Sequence, residues 1–391
     1  MHFWGKHIII LLVIRMKVVV AIDSFKGSLS SLQSGGAVKD AVLRLDSAAE
    51  VIIKPLADGG EGTVDSFADA ANSEIVNLTV NGPLMRPVRA KYCILKDSAT
   101  AVIEMASASG ITLISAEERN PLETTTYGVG QLIRDAIEKG CRRFIIGIGG
   151  SATNDGGTGM LAALGYEFLD ANGSPIALGA KGLKDLAEIK TDKVLPLLSE
   201  CSFNIACDVN NPLCGENGCS AVFGPQKGAT AEMIKDMDSW LERYAEKATS
   251  VSAKADKNLA GAGAAGGLGF AFSAFLNAKL QSGIEIILNE IRLEDEIKTA
   301  DIVVTGEGRL DSQTVMGKAP IGVAKLAKKY GKRVIAFSGC ATDTAEVCNE
   351  NGIDAFFTIL RNVTSLEEAL NIENAYKNLS ATAYQVFRLI I

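Results

Sequence analysis

The segment KVVVAI, residues 17–22, is a short apolar run rich in β-branched residues, and SLSSLQSGGAVKDAVLRL after it carries apolar positions at helical spacing from about residue 30 to 45. A run apolar on both faces suits the interior of a parallel sheet, where the return to a parallel neighbour needs a crossover, usually a helix. The alternation recurs. VIIKPLA (51–57) reads as a strand and EGTVDSFADAA (61–71) as a helix. Towards the other end DIVVTG, APIGVAKLAKKYG, RVIAFSG and AFFTIL take turns again, before a last helix from about 365 to 388. Strand and helix in alternation predict the α/β class with a doubly wound parallel sheet.

Between these ends the pattern changes. EIVNLTV, VRAKYCIL and TAVIEMA, about 74–106, are strand-like runs joined by turn residues such as Asn81-Gly82-Pro83 and Lys96-Asp97-Ser98, which predicts an antiparallel meander. A helix near 126–139, the strand RRFIIGI, a helix at 158–164, the strand CSFNIACD (201–208) and helical stretches near 230–247 and 264–281 come after it. No Pro- or Ser-rich linker separates the regions. The expected organisation is one domain built from both chain ends, 16–75 and 286–391, with an inserted α/β domain over 76–285 that holds a mixed sheet. Residues 1–15, MHFWGKHIIILLVIR, fall outside both. Their apolar run Ile8–Ile14 is too short to span a bilayer and no small-residue cleavage site comes after it, so Met16 is the expected start.

Histidine narrows the chemistry by its scarcity. The two copies, His2 and His7, both lie in that extension. The body of the chain therefore lacks Ser-His-Asp and Cys-His nucleophile systems, histidine bases and the common zinc catalytic sites. Its chemistry must run on carboxylates, Lys, Arg, backbone amides and a hard cation bound through oxygen. A net charge of −7 and the lack of a Lys/Arg-rich block leave no electrostatic footprint for nucleic acid, and no run is long enough for a membrane. Eight cysteines, at 93, 141, 201, 207, 214, 219, 340 and 348, include no CxxC pair, and the four from Cys201 to Cys219 match no usual zinc spacing. They read as ordinary thiols in a reducing cytoplasm, in a protein that handles small molecules.

Polar, Gly-rich motifs stand just past five of the expected strands. They are Asp23-Ser24-Phe25-Lys26-Gly27-Ser28, Ala57-Asp58-Gly59-Gly60-Glu61-Gly62-Thr63, the stretch IGIGGSATNDGGTGM (146–160), Asp208-Val209-Asn210-Asn211-Pro212-Leu213, and the run from Thr305 to Thr314. Ligands of open α/β sheets sit outside the carboxyl ends of the strands, so these loops are expected to form the site. Any one of them alone is an ordinary strand-to-helix turn. A cap, however, needs neither Lys26 and Arg309 nor acids such as Asp155 and Asp208 set among amides. Gly149-Gly150-Ser151 and Gly27-Ser28 suit phosphate through backbone N–H groups, Lys26 through charge, and Arg309 suits a carboxylate or phosphate through its planar fork. Acids beside a polyphosphate are repelled unless a cation intervenes, so Asp155, Asp208, Glu61, Glu307 and Asp311 imply Mg²⁺, proton acceptance from a hydroxyl, or both.

Two further patterns compete. Gly147-Ile148-Gly149-Gly150-Ser151-Ala152 fits G-x-G-x-x-G/A, with Asp170 about twenty residues on, as a nicotinamide dinucleotide site requires. The second Gly-rich run, Gly261 to Gly269, suits close helix packing as well as ligand contact through Gly266 and Gly267. Walker A is absent.

The ordered set AIDSFKGSLS, PLADGGEGTVD, NPLETTTYGVGQLI, IGIGGSATNDGGTGML, CDVNNPLCGENGCSAVFGPQKGA, GAGAAGGLG and VVTGEGRLDSQTVMGKAPIGVA resembles the class I glycerate kinases, the glycerate 2-kinase family, from Met16 to about residue 380. The resemblance implies ATP-dependent phosphorylation of D-glycerate at the 2-hydroxyl. It also implies two α/β domains, one flavodoxin-like and one similar to restriction-enzyme cores, with the active site in the cleft between them. The residues suggest the roles. Lys26, Gly27, Ser28, Gly149, Gly150, Ser151 and Thr153 hold phosphates, Asp208 helped by Glu307 binds Mg²⁺, and Asp155 accepts the glycerate proton. Arg309 with Ser24 and Gln313 grips the glycerate carboxylate, and Asp23 and Asp311 are the further substrate-binding residues. Exchanging Asp155 and Asp208 fits nearly as well. The 3-hydroxyl product, a monomer or a homodimer, and a ligand sensor without turnover stay open at this level.

Overall fold

Val18, Val19 and Val20 are each fully buried, as a strand covered on both faces requires. The structure, a computed structural model, describes residues 15–56, 63–64, 67 and 72–391. The expected helix over 61–71, the loop from Ala57 to Gly62 with Glu61, and residues 1–14 lie outside the described residues, save single positions of that helix. The chain forms two compact units: one comprises the residues up to Lys54 with Arg292–Val315 and Val323–Ile391, the other Pro55–Ile291 with Met316–Gly322.

In the first unit the strands Ala355–Thr358, Arg333–Ala341, Ile302–Leu310, Lys17–Val20 and Glu50–Ile53 lie side by side in that order, all parallel. The register pairs Val20 with Val304 and with Ile53, so Lys17–Val20 and Glu50–Ile53 end level while Ile302–Leu310 runs on past them. The helix Ser31–Leu45 begins at a capping box, in which Ser30 Oγ accepts from Gln33 N and the Gln33 side chain accepts from Ser30 N. Its buried Ala37, Val38 and Ala41 join Leu379 and Ala383 of the helix Ile372–Phe387 in one core cluster. The two helices are also tied by Tyr376 Oη donating to Asp40 at 2.7 Å and by Arg44 lying 4.4 Å over the Tyr384 ring. The expected single helix over 365–388 is divided at Asn371, whose side chain caps Ile372–Phe387 by accepting from Asn374 N.

In the second unit six strands form a mixed sheet in the order Lys279–Gln281, Ser202–Ala206, Arg143–Gly147, Thr100–Glu104, Pro87–Leu95, Ser73–Asn81. The last three form the antiparallel meander, and the first four are parallel. Phe144 and Phe203, register partners, stack at 4.8 Å in its core. Two features differ from expectation. The helix expected to reach 281 stops at Leu276, because Asn277 turns left-handed at φ 52°, and Lys279–Gln281 becomes an edge strand. An antiparallel pair of Glu167–Leu169 and Glu188–Lys190 has no counterpart in the sequence pattern, since three-residue strands are too short to show a period. No helix among the described residues is long and apolar enough to cross a membrane.

Candidate functional site

The strands Arg143–Gly147 and Ser202–Ala206 pair in parallel with Gly147 opposite Ala206, so the loops at their carboxyl ends emerge side by side. One loop carries Gly149-Gly150-Ser151 and the other Asp208, and both line a cavity of about 480 Å³ with Ile111, Gln226 and Lys227. Gly150 sits at φ +74°, which L side chains rarely adopt, and it is exposed beside Gly149. The turn is pinned from behind, Ile111 N donating to Gly150 O and Ala152 N to Ser109 O, each at 2.9 Å. A second cavity of about 460 Å³, lined by Arg89, Glu104 and Thr112 among others, touches the same Gly149 and Gly150. Asp208 is exposed and accepts from Gly283 N at Oδ1, 3.2 Å. It is the one acid on the lining of the larger cavity among the described residues.

Asp155, expected to meet a substrate hydroxyl, is instead fully buried. Thr126 N, Thr126 Oγ1, Thr125 Oγ1 and Gly159 N donate to its Oδ2, and Gly157 N to its Oδ1. Burial pushes its carboxyl up and those donors oppose the shift. A carboxylate so enclosed fastens the chain from Asp155 to Gly159 onto Thr125–Thr126. Thr153, expected at the phosphates, is likewise fully buried, and its carbonyl accepts from Lys227. Behind both, Gly266 approaches so closely that a Cβ there would stand 2.0 Å from Thr153 O, and its own carbonyl accepts from Gly156 N. The second Gly-rich run is therefore packed against the first. Asp170 does not serve a dinucleotide ribose, since its Oδ1 accepts from Asn172 N and Ser174 N within a local turn.

Lys227 is the functional candidate that sequence reasoning passes over. It is 2 % exposed, lines the larger cavity, and donates from Nζ to Ser151 Oγ at 2.8 Å and to Thr153 O at 2.6 Å. Burial lowers its pKa to about 8. Its surroundings, FGPQKGA, form part of the family resemblance, yet a lone Lys after Pro and Gln carries no spacing signal. Thr124, Thr125 and Thr126 escape for the same reason.

In the first unit the loop after Lys17–Val20 and the end of Ile302–Leu310 are neighbours. Asp23 N donates to Gly306 O at 2.9 Å, and a Cβ on Gly308 would lie 3.5 Å from Lys26 N. Lys26 and Gly27 are exposed in a turn closed by Ser28 N donating to Phe25 O, with Gly27 at φ +77°. Ser28 Oγ is buried without a partner among the described residues. Ser24 N donates to Asp23 Oδ1 at 2.7 Å. Arg309 is largely exposed, with Nε 3.5 Å from Asp311 Oδ2. Asp311 Oδ1 accepts from Gln313 N, so this acid, expected at the substrate, orients Arg309 and closes the turn to the exposed Gln313. Glu307 is 8 % exposed and accepts from Thr314 Oγ1 at 2.7 Å. Among the described residues no group of three or more His, Cys, Asp or Glu is placed to hold a metal ion. All eight cysteines are free thiols, and burial pushes Cys219 up to about 11.

A sequence profile described as the glycerate kinase family matches residues 18–391. The chain is similar to the glycerate kinase of Haemophilus influenzae, 46% identical over 375 residues that cover 96% of this chain and 99% of that protein. It is 47% identical over 372 residues to the glycerate 2-kinase of Escherichia coli, covering 94% and 98%. A crystal structure assigned to glycerate kinase 2 of Salmonella typhimurium LT2 superposes with a TM-score of 0.88 at 46% identity, covering 96% of this chain and 98% of that one.

Proposed function

The chain belongs to the glycerate kinase family, and from that premise we propose that it transfers the γ-phosphoryl group of ATP to the 2-hydroxyl of D-glycerate. It is a kinase whose co-substrate is ATP; the position phosphorylated accords with the name of the Escherichia coli relative. The observation that carries the site assignment is that the Gly149–Ser151 turn and Asp208 open on one cavity.

Phosphoryl transfer needs positioning and charge stabilisation more than covalent help. In this reading Gly149 and Gly150, bare and exposed, let phosphate oxygens approach the main chain, with Ser151 beside them. Asp208 Oδ1 is held by Gly283 N, which leaves Oδ2 to accept the proton of the attacking hydroxyl. Arg309, steadied by Asp311, is assigned the glycerate carboxylate, and Lys26 the phosphate charge.

Mg²⁺ usually keeps several waters and takes one or two protein carboxylates plus substrate phosphates. The cavity fits that use, because it offers one accessible carboxylate, Asp208; Glu307 is already engaged by Thr314. When bound, the ion would screen phosphate charge from the acid. The reading is tested by coupling ADP release to D-glycerate addition and locating the new phosphate by phosphorus NMR. A 3-phosphoglycerate signal overturns the regiochemistry, and the lack of ADP release overturns the function.

A further inference from the structure

A lysine with its ammonium buried is costly unless charge or hydrogen bonds compensate it. Lys227 has no ion-pair partner among the described residues: the nearby Asp155 is hydrogen-bonded to other donors, and Cys219 is a thiol pushed away from ionising. An ammonium carries three N–H donors. Ser151 Oγ and Thr153 O accept two, and no described residue accepts the third. The backbone fixes the placement, since Lys227 ends a short turn closed by Gly228 at φ +90°, where a Cβ would strike Arg119 O at 2.3 Å. The side chain is thus held at the cavity wall, one residue from the exposed Gly149-Gly150 turn through Ser151.

We propose that Lys227 is the oxyanion clamp of this cavity, holding Ser151 Oγ and Thr153 O with one N–H donor each and presenting the third to an anionic oxygen of a ligand. The inference rests on the kinase reading only for the identity of the ligand. Two sources supply such oxygens, the phosphates of the nucleotide and the carboxylate of glycerate. Asp208 on the same lining repels an unscreened anion, and a cation on the protein offsets that repulsion.

The test is calorimetry of wild type and Lys227→Met with ADP, with D-glycerate and with pyrophosphate, all without added metal, alongside thermal melts to show that the variant folds. Lys227→Gln, which keeps a donor but no charge, serves as a second variant. The expected result is an affinity loss of about 10- to 100-fold for one nucleotide-type or substrate-type anion, larger in Met than in Gln. Loss for ADP and pyrophosphate assigns the phosphates; loss for D-glycerate alone assigns the carboxylate. ADP affinity of the wild type should also fall as pH rises through about 8, where Lys227 sheds its proton, and stay flat in Lys227→Met. Asp155 and Cys219, which face the ammonium, and Asp208 on the lining are present in both proteins, so they do not produce the difference. Unchanged affinities for all three anions in folded variants, or a wild type that binds none of them, overturn the inference. Lys227-dependent pyrophosphate binding in a protein that phosphorylates no glycerate would support it while striking down the functional reading alone.

Discussion

Thr126 ends twice on one oxygen: its backbone N–H and its hydroxyl donate to Asp155 Oδ2 at 2.8 and 2.9 Å. The acid that sequence places nearest to a catalytic base is thereby a fastening between two loops. Asp155→Asn replaces one oxygen with an NH₂ that faces donors, so it should cost about 2–3 kcal/mol in denaturant unfolding. Turnover per folded molecule should stay near wild type. A folded variant whose kcat drops by orders of magnitude would return Asp155 to the reaction.

Asp208 predicts the opposite split. It is exposed and accepts one backbone N–H, so Asp208→Asn should leave the melting temperature nearly unchanged. Loss of a proton acceptor should lower kcat by roughly 10²- to 10⁴-fold. A raised Mg²⁺ requirement in the same variant would add the cation-anchoring role, and wild-type turnover would remove Asp208 from the mechanism.

Arg309 lies near the carboxyl end of the strand Ile302–Leu310 with its guanidinium largely exposed beside Asp311. Arg309→Lys keeps the charge but loses the planar fork. The KM for D-glycerate should rise about 10-fold, with little change in the KM for ATP. Equal rises for both substrates would count against a carboxylate-specific role.

Gly266→Ala should destabilise the second unit by at least about 2 kcal/mol, because the methyl group would meet Thr153 O and the backbone is left-handed at φ +68°. Urea unfolding monitored by circular dichroism measures it. A neutral substitution would mean that the two Gly-rich runs do not rely on this contact.

Lys227 also links stability to pH. Its pKa is about 8 in the fold and near its ordinary 10.5 when unfolded, so between those values the unfolded chain binds the extra proton. Stability from this group is therefore lowest below pH 8 and rises as pH climbs towards 10.5, by on the order of 3 kcal/mol. Wild type minus Lys227→Met, compared by denaturation at pH 7 and pH 10, isolates this contribution. A difference independent of pH would show an unshifted lysine.

The sequence by itself determined the two kinds of sheet and the loops that matter. β-branched runs such as Lys17–Val20 and the alternation around them are local signals, and so are glycines that interrupt strands and helices. It also placed Gly149, Gly150, Ser151 and Asp208 at strand ends, because a carboxyl-terminal loop position comes from chain order alone. What it did not show was which polar groups face a ligand and which face one another. Asp155 and Asp208 look alike as letters; only tertiary structure encloses the first among Thr125, Thr126 and two amides and leaves the second on a cavity. Lys227 reaches Ser151 across 76 positions of chain. Burial and hydrogen-bond partnership are properties of such long-range contacts, and no local spacing encodes them.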